Sequence, residues 1–215
     1  MSNNFVFMIC SKETGSRSGK DTVAHAMVSE LVSSSLRART DIIELSYPLK
    51  WICKNFLGLD EEYFKGDLKE EPSKLVVSGE NISGRRAQQL MADFYRTTFG
   101  QDVFVSRADR LVTEFYDEAK ILGDRYNSFV FIPDFRFDNE FNYLKDKGHN
   151  IITINVIRPS NKKGITEHNS DHGLSMNDFD YVIINDGTIK DLNRKCYDII
   201  DEICMKYEIN SFGCC

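Results

Sequence analysis

A short apolar run at residues 5–10 (FVFMIC) breaks into Thr14-Gly15-Ser16-Arg17-Ser18-Gly19-Lys20-Asp21-Thr22, and helical periodicity follows at once. Val23, Met27 and Leu31 recur beside Ala24 and Val28 between Lys20 and about Leu36. Strand, glycine-bearing loop, Gly-Lys and helix in that order suit the binding of a polyphosphate. Glycine lets backbone N–H groups curl around an anion, the helix N-terminus adds partial positive charge, and the lysine reaches the outer phosphates. Gly15, Ser16, Arg17, Ser18, Gly19, Lys20, Asp21 and Thr22 are the expected cradle. A strict loop has its first glycine where Thr14 stands and a hydroxyl where Asp21 stands; here the hydroxyl arrives one residue later, at Thr22. Asp21 and Thr22 are candidates to support a divalent cation, and Asp21 has the alternative role of capping the helix.

Strand-like and helix-like segments alternate along the rest of the chain, which predicts a mostly parallel sheet with helices on its faces. Strands are expected at 41–46, 128–133, 150–157 and 181–185. Helices are expected from Pro48 to about residue 57 and over 85–99, 103–122 and 137–147. Thr188 is placed to cap a last helix whose apolar stripe is Ile189, Leu192, Cys196, Ile199, Ile203 and Tyr207. Residues 58–84 are weakly periodic and read as an excursion with one short helix. Residues 158–173 are polar and read as a loop. At 215 residues the chain suits one sizeable domain.

A net charge of −6 gives no global attraction to nucleic acid, so an anionic ligand needs a local cationic pocket. The six cysteines show no metal-ligand spacing, and no run approaches the roughly 18 apolar residues of a membrane helix. With no secretory leader recognised, reduced thiols in a cytoplasm are expected.

Four segments together resemble the phage deoxynucleoside monophosphate kinases, a branch of the P-loop kinases. They are Arg17-Ser18-Gly19-Lys20-Asp21-Thr22, the RRAQQLMADFYR helix at 85–96, Asp134-Phe135-Arg136-Phe137 with Asn139-Glu140, and Asn185-Asp186-Gly187-Thr188. The Gly-Lys-x-Thr ending is itself common among nucleoside monophosphate kinases. The family's usual loop starts on glycine and often carries a second basic residue where Ser16 stands; Lys12 is close by. The resemblance implies a three-layer P-loop kinase fold over 1–215, with an acceptor-binding insertion at 58–100, a lid loop at 158–174 and a flexible tail at 209–215. It implies ATP and Mg²⁺ as cofactors, nucleotide substrates, and a place in the cytoplasm, that of the host for a phage-encoded enzyme. No binding to nucleic acid or membrane is expected, and a homodimer is compatible.

Phosphoryl transfer between nucleotides asks a protein to hold two polyanions in line, neutralise moving charge and exclude water. Lys20, Arg136 and Arg158 are the expected catalytic cations. Arg85 and Arg96 stand eleven residues apart on one predicted helix, about three turns, so both can share a face for monophosphate recognition. Gln89 or Gln88 can read a base edge. Asp134, at the carboxyl end of a buried strand, is a candidate to hold Mg²⁺ or orient a substrate hydroxyl, with Arg136 on the acceptor phosphate and Glu140 beside them. An Asp–Arg pair that fixes the turn explains the same residues. Lys162 and Lys163 accompany Arg158 in the expected lid. His168 and His172 share a helical face without carboxylates to complete a metal site. Asn185, Asp186 and Gly187 line a donor-base pocket or merely make a turn. Trp51, Phe56, Tyr63 and Phe64 read as core packing before base contacts.

Two other readings fit less well. A GTPase switch needs Asp-x-x-Gly, and no glycine here has an aspartate three residues earlier; it also needs Asn-Lys-x-Asp for guanine, and Asn161-Lys162-Lys163 is followed by Gly164 where that Asp would stand. The terminal Cys214-Cys215 then reads as tail. Phosphomevalonate- or dephospho-CoA-type kinases share the loop and the lid, and the Arg85/Gln89/Arg96 helix favours a nucleotide acceptor over theirs.

Overall fold

A computed structural model describes residues 3–14, 17–34, 36–64, 66, 68–122, 126–161 and 174–209. The chain divides into two compact units, one of Met1–Glu44 with Val105–Cys215 and one of Leu45–Phe104. The region expected to bind the acceptor, 58–100, falls inside the second.

The first unit is built on five strands: β1 (Asn4–Cys10), β2 (Ala38–Ile42), β5 (Asn127–Ile132), β6 (Ile151–Ile157) and β7 (Tyr181–Ile184). They lie in the order β2-β5-β1-β6-β7, and every adjacent pair is parallel. β1 and β5 are apolar at nearly every position because a parallel strand inside such a sheet is covered on both faces. Phe5, Phe7, Ile9, Phe129 and Phe131 form one cluster with Val23, Ala24, Met27 and Leu31 of α1 (Lys20–Ser33) and Leu192, Cys196, Ile200 and Ile203 of α6 (Ile189–Lys206). Cross-strand partners Phe5 and Phe129 stack at 5.7 Å, and Phe7 and Phe131 at 4.7 Å. The alternate residues Val6, Met8, Val130 and Ile132 are equally buried and need cover on the opposite face. Val105, Ala108 and Val112 of α4 (Val103–Ile121) and Leu144 of α5 (Asp138–Asp146) are buried as well. The expected α/β architecture, a mostly parallel sheet flanked by helices, is the one observed.

The second unit holds α2 (Tyr47–Asn55), the antiparallel hairpin β3 (Pro72–Val77) and β4 (Glu80–Ser83), and α3 (Gly84–Phe99), with two 3₁₀ turns at Glu61–Phe64 and Leu68–Glu70. Cys53, Leu59 and Ala87 form its centre, with Tyr63, Phe64, Leu75, Ile82 and Met91 packed around them.

Several sequence expectations need correction. β2 runs over 38–42, not 41–46, because it is an edge strand whose polar Arg39 and Asp41 hid it. Residues 58–84, expected to hold one short helix, carry two 3₁₀ turns and also the unforeseen 72–83 hairpin, where positive φ at Ser78 (54°) and Gly79 (87°) reverses the chain between two short strands. In α6 the buried stripe uses Ile200, while Ile189 is 63% exposed. Trp51 and Phe56, assigned to core, are 53% and 80% exposed.

Candidate functional site

Because all five strands of the first unit run parallel, their carboxyl ends share one edge, and four of the five loops that leave it hold candidate residues. These carry Arg17–Lys20 after β1, Asp134 and Arg136 after β5, Arg158 after β6 and Asn185 after β7. Ligands of open α/β sheets bind at that edge.

The loop after β1 enters α1 through Gly19, whose φ of +97° is a left-handed conformation that glycine adopts without strain. α1 has no side-chain cap at its N-terminus, and its first amides fall at Lys20, Asp21 and Thr22. Asp21 and Thr22 are exposed, Lys20 is partly exposed and Ser18 is fully buried, its hydroxyl without a hydrogen-bond partner. An orphaned buried hydroxyl beside uncapped amides suits an anion cradle. The N-cap position falls on Gly19, and Asp21 stands in the first turn of α1. Arg17 is exposed with φ +64°; Gly15 and Ser16 lie outside the described residues.

Three neighbours fix this loop. Asn155 of β6, 2% exposed, accepts the Lys12 N–H at 3.1 Å and donates to Glu13 Oε2 at 2.8 Å. The Arg158 N–H donates to Thr14 Oγ1 at 3.2 Å, and Thr14 meets Ser11 Oγ at 2.8 Å. Asn185 Nδ2 donates to Ser18 O at 2.8 Å. The Arg158 guanidinium reaches Arg17 O at 3.4 Å, so its side chain borders the loop. Lys12 is turned elsewhere: its Nζ donates to Met176 O (2.8 Å), Asn177 Oδ1 (2.6 Å) and Ser175 O (3.3 Å). It holds the returning chain and does not replace the basic residue absent at Ser16.

In the turn after β5, Asp134 and Arg136 are partly exposed, whereas Glu140 is 3% exposed. Glu140 Oε2 accepts the N–H groups of Arg136 (2.7 Å) and Phe137 (3.1 Å), which makes it the residue that shapes the turn. Asp138 accepts the Ser175 N–H and hydroxyl and the Met176 N–H. Burial alone would raise its pKa, but the hydrogen bonds from Ser175 and Met176, with the Lys12 charge, hold it below the usual carboxylate value. Cys10, beside Asn155, is pushed up to about 12 by burial and is no nucleophile.

In the second unit, Ser83 caps α3 by accepting the Arg86 N–H at 3.2 Å. Arg85 Nε donates to Glu70 Oε1 at 2.6 Å, and the Arg96 guanidinium lies 5.1 Å from the centre of the Phe104 ring. Gln89 is partly exposed and Arg86 exposed. Lys162, Lys163, His168, His172, Cys214 and Cys215 lie outside the described residues. Among the described residues no group of three His, Cys, Asp or Glu is disposed to hold a metal, and no helix is long and apolar enough to cross a membrane. Sequence reasoning missed Asp138 and Asn155. Only Asn155 gave a signal, as a polar residue inside the apolar run IITINVI.

The deoxynucleotide monophosphate kinase family model matches residues 76–196. A deoxynucleotide monophosphate kinase of Enterobacteria phage T4 is 33% identical over 99 residues. That similarity takes in 45% of this chain and 39% of the relative, well under half of its length. Among solved structures, the chain is similar to the Mycobacterium tuberculosis APS kinase CysC with AMPPNP and APS (14% identity, TM-score 0.46, 93% of this chain and 98% of that one). A Cys556Ala mutant of that kinase is similar too (12% identity, TM-score 0.41, 93% and 97%).

Proposed function

We propose that this chain, which belongs to the deoxynucleotide monophosphate kinase family, transfers the terminal phosphoryl group of ATP to a deoxynucleoside monophosphate. The observation that carries the reading is the uncapped start of α1 behind a left-handed Gly19, with Lys20 as the first helical residue. The phosphate loop lies outside the 76–196 family match, so loop geometry and family membership are separate supports.

In this reading the amides of residues 17–22 and the Lys20 ammonium hold the β- and γ-phosphates of the donor. Arg158, already beside the loop at Arg17 O, lies toward the transferred group and offsets the charge that develops there. Arg136 contributes from the turn that Glu140 shapes, and Glu140 itself moves from the substrate contacts to a positioning role. Arg85, Gln89 and Arg96 supply acceptor recognition. The Nε contact of Arg85 leaves both terminal guanidinium nitrogens outside that bond, in the fork geometry that suits a monophosphate.

The hard oxygen donors Thr22, Asp21 and Asp134 fit Mg²⁺, which binds proteins through one or two carboxylates and completes its shell with phosphate and water. When bound, the ion would offset phosphate charge. A reaction that consumes ATP and nucleotides places the working enzyme in the cytoplasm, the host's for a phage-borne gene.

A coupled ADP-release assay with ATP and Mg²⁺ against a panel of ribo- and deoxyribonucleoside monophosphates tests the proposal. Turnover is expected with at least one deoxynucleotide, and Lys20→Ala should lower it by roughly 10²-fold or more at an unchanged melting temperature. Turnover with none of the panel, or full activity in Lys20→Ala, would contradict it.

A further inference from the structure

Asn185 directly follows β7, and its N–H donates to Ile157 O at 2.7 Å, extending the β6–β7 pairing by one step. Its side chain then crosses to the phosphate loop, where Nδ2 donates to Ser18 O at 2.8 Å. A Cβ on Gly19 would lie 2.5 Å from that same nitrogen, so the carboxamide fills the space on one side of the Ser18–Gly19 peptide. In a planar trans peptide the carbonyl of one residue and the N–H of the next point in opposite directions. Anchoring Ser18 O on Asn185 therefore turns the Gly19 N–H away from Asn185.

The turn after β7 does not need this side chain. Lys195 Nζ holds it through Ile184 O (2.6 Å) and Asp186 Oδ1 (3.0 Å), and Thr188 and Asp191 cap α6 reciprocally. Among the described residues, the Asn185 carboxamide N–H goes to the loop. A donor is needed here: a carboxylate at this position would set oxygen against the Ser18 carbonyl.

We propose that Asn185 is a positioning residue for the donor triphosphate. By fixing the Ser18–Gly19 peptide it aims the Gly19 N–H, and presents Lys20 after it, in one orientation toward the phosphates. This rests on the ATP-donor reading above and replaces the donor-base and turn-making roles considered for Asn185 from sequence.

The test is calorimetric titration of ATP, without acceptor, into the wild-type chain, Asn185→Ala and Asn185→Asp, alongside initial rates with the best monophosphate. The expected result is ATP affinity weakened roughly tenfold in Asn185→Ala and further in Asn185→Asp. The KM for ATP should rise in step while the KM for the monophosphate stays unchanged. A purely structural residue would lower the melting temperature and leave ATP affinity intact well below the melt, and that result overturns the inference. Wild-type ATP binding without transfer to any monophosphate, with binding weakened in the variants, would keep the role of Asn185 and remove the kinase reading. Transfer by the wild type with undiminished ATP affinity in both variants would do the reverse. A wild-type chain that binds no ATP overturns both.

Discussion

The Glu140 carboxylate accepts the backbone N–H of Arg136 at 2.7 Å, so a buried acid sets the path of the chain that carries a catalytic candidate. The same oxygen also takes the Phe137 amide. Glu140→Ala strands both donors and should cost roughly 2–4 kcal/mol. Glu140→Gln keeps an acceptor and should cost less. Thermal melts ranking the two variants the other way would show that the carboxylate is not what holds this turn.

Gly84 opens α3 against Tyr63, where an added Cβ would lie 2.0 Å from the Tyr63 carbonyl oxygen. The obstacle is backbone and cannot rotate away. Gly84→Ala should destabilise the second unit by roughly 1–3 kcal/mol. Hydrogen exchange should localise the loss to residues 45–104; uniform exchange across both units would refute it.

The Asp138 carboxylate has a depressed pKa in the folded chain, set against burial by hydrogen bonds from Ser175 and Met176. Its contribution to stability is present above the unfolded carboxylate pKa of about 4 and is lost as pH falls through the lower folded value. Asp138→Asn should be less stable than wild type at pH 7, with the gap narrowing as the solution is acidified below about pH 4. Denaturant midpoints that stay equally far apart down to pH 2 would contradict the linkage.

Arg85→Ala and Arg96→Ala should raise the KM for the monophosphate far more than the KM for ATP. The loss of a charged hydrogen bond to phosphate corresponds to roughly tenfold or more. Arg96→Ala also removes the contact with the Phe104 ring, so Arg96→Lys serves as a second variant. Equal changes in both constants would move these arginines out of acceptor recognition.

Burial raises the thiols of Cys10 and Cys196 to about 12 and those of Cys53 and Cys204 to about 11. Alkylation of the native chain at pH 8 should leave all four unmodified, and unfolding should expose them. Peptide mapping that finds Cys10 labelled in the native state would mean the end of β1 opens readily.

The sheet and the turn from β1 into α1 were legible because their signals are local. FVFMIC, SFVFI and IITINVI are too apolar to be anything but buried, and Gly-Lys after the first leaves little choice of turn. The edge strand at 38–42 and the hairpin at 72–83 were not, since half-exposed strands mix polar and apolar residues without a firm period. That Ile200 joins Ile199 on the buried side of α6 was equally hidden: the width of a helix's buried face is set by the partner it meets.

Residue types and their spacing along the chain determined that this protein has a parallel sheet and a glycine-bearing turn from its first strand into its first helix. Tertiary structure alone decided which polar groups serve each other: Lys12 to the chain at 175–177, Glu140 to the turn after β5, Asn155 and Asn185 to the two ends of the loop. These partners are separated by up to 167 positions in the chain. Periodicity reports which side of an element is buried. A hydrogen bond depends on distance and direction in space, and those exist only once the strands have been ordered side by side.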